Sequence, residues 1–238
     1  MIIAQLPISK SIVNRQQILY ALRGEMMSLP DGCCDDIKVM HSALEHYFLN
    51  YPPTNPQADL QSDTAHRSAM PLSIDVDNCG TAMRFLTTFF ASRPGCDVIL
   101  TGNERMRQRP IAPLVDALLT LGAHIEYLGD YGFPPMHIRG DQLNLEQHID
   151  VDATDSTQFV SALLLIGANV HSTRQSPYID LTRDLIASQS TQLSAVETTL
   201  GARTSSSAST ATDTQLSAVA RLRSPSLIEP DWSAAAFW

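Results

Sequence analysis

The sequence predicts an α/β (α+β) domain assembled from repeated units, on three observations. Stretches with apolar residues at helical spacing alternate with short segments in which apolar and polar residues alternate. Paired strand candidates, rather than a single one, follow one of the helices. The 238 residues, 44% hydrophobic and 17% charged, carry enough apolar side chains for a buried core. Elements of both kinds in alternation are the pattern of sheets covered by helices.

The first helix is expected over Ser11 to Leu22, where Ile12, Ile18, Leu19 and Leu22 share a face and Gly24 follows as a stop signal. Asp35 to Leu49 reads as a second helix. Leu72, Ile74 and Val76 alternate with polar neighbours as in a strand, and Cys79 to Ala91 returns to helical spacing. Val98 to Leu100 is the next strand. Ile111 to Leu121 is a helix closed by Gly122, followed by strand candidates at His124 to Leu128, Met136 to Arg139 and His148 to Val151. Ser156 to Ala168 is again helical. Beyond it, residues 201–214 are dominated by Ser, Thr and Ala, and the hexapeptide TQLSAV occurs at 191–196 and again at 214–219. Such composition buries little.

Charge narrows the function. The net charge of -9 argues against a nucleic-acid partner, because neutralising phosphates calls for a basic face. No apolar run approaches the roughly 18 residues of a spanning helix, and the first residues lack the features of a secretory signal, so no membrane and a cytoplasmic location are expected. The cysteines Cys33, Cys34, Cys79 and Cys96 form neither a CxxC pair nor a disulfide framework, and the seven histidines lack metal-ligand spacing; no metal is expected. Lys10 and Lys38 are the only lysines, while Arg105, Arg107 and Arg109 crowd one segment. Islands of positive charge in an acidic chain suggest a small anion as ligand.

Three segments sharpen that suggestion. Ser9-Lys10-Ser11, Gly80-Thr81 and Ser156-Thr157-Gln158 each open a helix after an extended stretch, where free backbone N–H groups and the positive end of the helix dipole favour phosphate or carboxylate. Ordinary N-capping explains each one singly. Lys10, Ser11 and Arg15 stand together, with Ser11 and Arg15 four apart on one helical face. Asn78, Gly80 and Thr81 lie at a strand-to-helix turn where glycine admits close approach of a ligand. In LTGNERMRQRP three arginines at alternate positions would share a face if the stretch is extended, and its single Glu104 cannot pair with all of them.

Taken together, these motifs resemble the 5-enolpyruvylshikimate-3-phosphate (EPSP) synthase family. The resemblance runs in order through Pro7 to Arg15, Asn78 to Arg84, Leu100 to Leu121, Phe133 to Gly140, Ser156 to Leu165, Ser176 to Thr182 and Glu229 to Trp238. It implies βαβαββ units forming one enolpyruvyl-transferase-like domain. It also implies a transferase that moves the enolpyruvyl group of phosphoenolpyruvate (PEP) to the 5-hydroxyl of shikimate 3-phosphate in the shikimate pathway of aromatic amino acid biosynthesis, without a cofactor.

By the same resemblance Lys10 is catalytic and touches both substrates. Ser11, Arg15, Ser156, Thr157, Gln158, Ser176 and Tyr178 hold shikimate 3-phosphate, while Asn78, Gly80, Thr81, Arg109 and Gln158 hold PEP, and glyphosate is the implied inhibitor. The sequence departs from the family at Ile8, Cys79, Phe85, Thr157 and Gln175. Ser176 neighbours Gln175, which stands where a phosphate-binding serine is expected, and Phe85 and Cys79 lie beside the PEP pocket.

Family members carry two similar domains with the site between them. The expected organisation is therefore a substrate-binding domain over 1–184, a low-complexity segment over 185–228 and the start of the return to the second domain over 229–238. On that reading the chain is truncated and inactive alone. Two alternatives are a noncatalytic phosphometabolite-binding module and half of a split enzyme that pairs with a complementary C-terminal half. The other enolpyruvyl transferase, which uses a UDP-sugar and usually a loop cysteine, fits less well, because the arginine-rich loop here has no cysteine.

Overall fold

The computed structural model describes residues 9–52, 70–172 and 174–201. Expectations for Pro7 and Ile8, for the second TQLSAV copy, for residues 202–228 and for 229–238 lie outside the described residues.

Two helices come first, α1 (Lys10–Leu22) and α2 (Asp35–Asn50). Ser9 caps α1, its hydroxyl accepting from the Ile12 N–H, and Asp35 and Asp36 in the first turn of α2 face the positive end of that helix. A run in the order βαβαββ follows: β1 (Leu72–Asp75), α3 (Gly80–Ala91), β2 (Asp97–Thr101), α4 (Ala112–Thr120), β3 (His124–Tyr127) and β4 (Met136–Arg139). Its strands form one sheet in the order β1-β2-β4-β3, with β1 and β2 parallel and the other pairings antiparallel. The parallel pair needs a crossover, which α3 supplies. Next, β5 (Ile149–Asp150) and β6 (Val170–His171) pair in parallel across α5 (Gln158–Leu165). The last described element is α6 (Pro177–Gly201).

The core centres on α3, which is buried from Gly80 through Ala91 except at Arg84. Phe85, Leu86, Phe89 and Phe90 are fully buried. Burying each such side chain is worth about 1.5–3 kcal/mol, which makes α3 the anchor on which the other layers rest. Tyr47 of α2 stacks edge-on against Phe89 at 5.3 Å, joining the first helices to it. On the other side α5 packs against α3 and α6.

Two features differ from the sequence expectation. Residues Met106–Gln108 form a short 3-10 turn rather than an extended stretch, so Arg105, Arg107 and Arg109 point in different directions. Helix α6 runs unbroken across residue 184, and Leu185 and Ile186 pack against the main core, where the composition suggested a segment that buries little.

Candidate functional site

The residues at three helix starts meet in one place. Lys10 from α1, Gly80 and Thr81 from α3, and Ser156, Thr157 and Gln158 at the entry of α5 all line a cleft of about 680 Å³. Asn78, Arg109 and Tyr178 complete the set of sequence-predicted residues found there, joined by Asp36, Arg84, Thr154, Asp155 and Arg174. Helix N-termini expose unpaired N–H groups and a partial positive charge. With Lys10, Arg84, Arg109 and Arg174 on the same walls, the cleft is built to hold anions.

Each cation is placed by local structure. Lys10 Nζ pairs with Asp36 Oδ2 at 2.9 Å, and that hydrogen bond raises the lysine pKa above its ordinary value, so the side chain stays charged. Arg109 owes its position to Gly102. A β-carbon there would lie 2.6 Å from the Asp77 carbonyl, so only glycine lets the arginine-bearing loop close onto the turn before α3. Asn103 fixes the approach, donating from its backbone N–H to Asp77 O and from Nδ2 to Asp77 Oδ1, while its own Oδ1 accepts from the Met106 N–H. Arg107 folds back on the loop through the Gly102 carbonyl at 3.1 Å. Of the three loop arginines, Arg109 alone lines the cleft.

Arg84 was not singled out by the sequence, although it sits four residues after Gly80 and hence above it on the same helical face. Its Nη1 donates to the Gly80 carbonyl at 3.0 Å and to Gln158 Oε1 at 3.2 Å, and its guanidinium lies 5.3 Å over the Phe159 ring. Burial, and secondarily the nearby Arg109 charge, lower its pKa. Two buried polar atoms of the lining, Arg84 Nε and Asn78 Oδ1, have no hydrogen-bond partner among the described residues.

On the opposite wall, Asp152 Oδ1 accepts from both the N–H and the hydroxyl of Thr154, at 2.8 and 2.5 Å, and shapes the loop that leads to α5. Arg174 Nη1 donates to the Thr154 carbonyl at 2.7 Å and ties that loop to the chain entering α6. Its remaining donors form no ion pair among the described residues.

Three expected residues stand elsewhere. Arg15 is 2% exposed; it donates from Nε to Thr182 Oγ1 (2.7 Å), from Nη1 to the Ser11 carbonyl (2.8 Å), and from Nη2 to Ser161 Oγ (3.1 Å) and the Tyr178 carbonyl (3.3 Å). It thereby clamps α1, α5 and α6 together behind the cleft, with the Phe85 ring 5.3 Å away. Burial presses its pKa down to about 10, which still leaves a cation at neutral pH. Ser11 spends its carbonyl on Arg15 and does not line the cleft. Ser176 sits at the start of α6, its hydroxyl accepting from the Tyr178 N–H, and with Gln175 lines a separate depression.

Among the described residues no group of three His, Cys, Asp or Glu side chains is placed to hold a metal ion. No described helix is long and apolar enough to cross a membrane.

The family model described as EPSP synthase (3-phosphoshikimate 1-carboxyvinyltransferase) matches residues 3–238. A 3-phosphoshikimate 1-carboxyvinyltransferase of Bacteroides fragilis is 37% identical over 244 aligned positions, covering 98% of this chain and 50% of its own length. One from Colwellia psychrerythraea is 34% identical, covering 76% of this chain and 45% of its own length. In structure, an EPSP synthase from Acinetobacter baumannii superposes with a TM-score of 0.53 at 20% identity over 74% of this chain and 42% of that one, a likeness of fold. The chain thus spans about half the length of the curated relatives it matches.

Proposed function

The chain belongs to the EPSP synthase family, and from that premise we propose that its cleft is one wall of a site that transfers the enolpyruvyl group of PEP to the 5-hydroxyl of shikimate 3-phosphate. The observation that carries the proposal is the meeting of three helix N-termini and four cationic side chains around one cleft whose carboxylates are Asp36, already paired with Lys10, and Asp155.

The reaction joins two phosphorylated substrates. The hydroxyl oxygen bonds to C2 of PEP as C3 takes up a proton and the hydroxyl gives one up; C3 then loses a proton as the bond from C2 to the phosphate oxygen breaks, which restores the double bond and releases inorganic phosphate. Holding two anions side by side is the first requirement, and proximity alone can supply several kcal/mol, up to about 7–11 in the best-oriented cases. In this reading Arg109, Gly80, Thr81, Asn78 and Gln158 take PEP. Ser156, Thr157, Tyr178 and Arg174 take shikimate 3-phosphate. Lys10, held charged by Asp36, lies between the two groups and balances charge developing at the reacting carbons. Arg174 stands beside Gln175 and supplies the charge-assisted contact to the shikimate phosphate. Glyphosate competes on the PEP side, and the protein works in the cytoplasm.

Because the chain spans about half the length of its relatives, a second wall is assigned to a complementary half. Each positioned acid or base contributes about 10² to 10⁴ in rate, so the 238 residues alone are expected to bind both substrates weakly, near millimolar, without turnover. Assaying phosphate release with the chain alone, and after adding a polypeptide spanning the other half of a relative, tests this. Release only in the mixture is expected; release by the chain alone, or by neither, contradicts it.

A further inference from the structure

We propose that Arg84 is a positioning residue that sets the donor polarity of the cleft by holding the side-chain amide of Gln158 in one orientation. A guanidinium can only donate hydrogen bonds. Arg84 Nη1 lies 3.2 Å from one end of the Gln158 amide, so that end must be the carbonyl oxygen. The other end, Nε2, is then fixed 3.1 Å from Thr81 Oγ1 and donates to it. With its oxygen receiving that hydrogen, the Thr81 hydroxyl keeps its own proton free to give.

The result is a directional chain in which Arg84 donates to Gln158, Gln158 donates to Thr81, and both Thr81 and the second Nε2 hydrogen of Gln158 remain as donors in residues that line the cleft. Flipping the amide would set the NH2 group against the guanidinium and leave an oxygen as the inner partner of the Thr81 hydroxyl, which would then spend its proton inward. One arginine therefore decides whether two cleft residues offer hydrogens or withhold them.

The placement of Arg84 suits this role. Its Nη1 is braced by the Gly80 carbonyl, its plane lies over the ring of Phe159, the residue next to Gln158, and no carboxylate pairs with it among the described residues. A partner carboxylate would pull the guanidinium off the amide.

The benefit to an anion rests on the cleft holding PEP, as proposed above; the orientation of Gln158 does not. Two measurements on the 238-residue chain separate the two. In the unliganded protein, NMR contacts between the Gln158 side-chain amide hydrogens and Thr81 are expected in the wild type and lost in Arg84→Met. In a binding cycle, Arg84→Met is expected to weaken PEP about tenfold, and the same substitution in a Gln158→Leu background should change affinity less than about twofold.

Unchanged Gln158–Thr81 contacts in a folded Arg84→Met protein overturn the proposal. So does a tenfold loss that persists without Gln158, which would make Arg84 a direct ligand. If Arg84→Met does not fold, Arg84→Gln, whose amide can accept as well as donate and so no longer fixes the Gln158 oxygen, carries the same readouts. Failure of the wild type to bind PEP would overturn the functional reading alone, because the contact measurement needs no ligand.

Discussion

Arg84 and Arg109 each place an Nη1 atom 2.7 Å from the point where a β-carbon on Gly80 would stand. Two cations thus converge on one face of a glycine at the start of α3. Arg84 reaches that point through its hydrogen bond to the Gly80 carbonyl, and Arg109 reaches it from the loop before α4.

A methyl group at Gly80 is the most direct way to disturb this pair. Gly80→Ala is expected to push the exposed Arg109 side chain aside, since its guanidinium is the flexible partner, and to weaken PEP binding roughly tenfold to hundredfold. Global stability should hardly change, because alanine suits a first helical turn at least as well as glycine. Isothermal titration with PEP, paired with a urea denaturation curve, checks both parts.

Arg15 makes the opposite prediction, a loss of stability. Removing a fully buried side chain with hydrogen bonds to Thr182, Ser11, Ser161 and Tyr178 should cost about 3 kcal/mol or more in Arg15→Ala. Arg15→Lys, which cannot reproduce the fork, should also destabilise measurably. Urea denaturation decides the matter: an Arg15→Lys protein of wild-type stability with impaired shikimate 3-phosphate binding would return Arg15 to the cleft wall.

The contrast between these two arginines shows what the sequence could and could not carry. The helices α1 to α5 were legible because apolar spacing is local, and the convergence of three helix starts followed from residue types that suit anions. The burial of Arg15 was not legible, since its partners Ser161 and Thr182 lie 146 and 167 residues away. Arg84 left a faint local signal, its four-residue spacing from Gly80, whereas its partner Gln158 is 74 residues on. Arg109 was found for the wrong geometry: the turn at Met106–Gln108 separates the three arginines that an extended chain would have aligned. Helix α6 escaped because Ser, Thr and Gln dominate its second half and no apolar period marks it.

Cys79 predicts a pH dependence. Its thiol caps α3, accepting from the Ala82 N–H, and burial pushes its pKa from 9.0 up to about 11. Between those values the unfolded thiol has lost its proton while the native one keeps it, so stability falls as pH rises from about 9 towards 11, by up to about 3 kcal/mol. Cys79→Ser keeps a capping oxygen and removes that contribution to the slope, whereas Cys79→Ala should cost about 1 kcal/mol at neutral pH through loss of the cap. Denaturation midpoints of the three proteins at pH 7, 9 and 10.5 test the sign.

The proposed assignment of Arg174 to shikimate 3-phosphate predicts a difference between the two substrates. Arg174→Ala is expected to weaken shikimate 3-phosphate roughly tenfold, through loss of a charge-assisted contact, and to leave PEP affinity within about twofold. Competition between the two ligands in a fluorescence or calorimetric titration reads this directly, and an equal loss for both would contradict the assignment.

If the three helix starts form one wall of a two-anion site, an amide-shift titration of the 238-residue chain reads it most directly. PEP should move the resonances of Gly80, Thr81 and Gln158, and shikimate 3-phosphate those of Ser156, Thr157 and Arg174, each saturating near millimolar ligand. Shifts scattered over the surface, or none at these residues with either ligand, would contradict it.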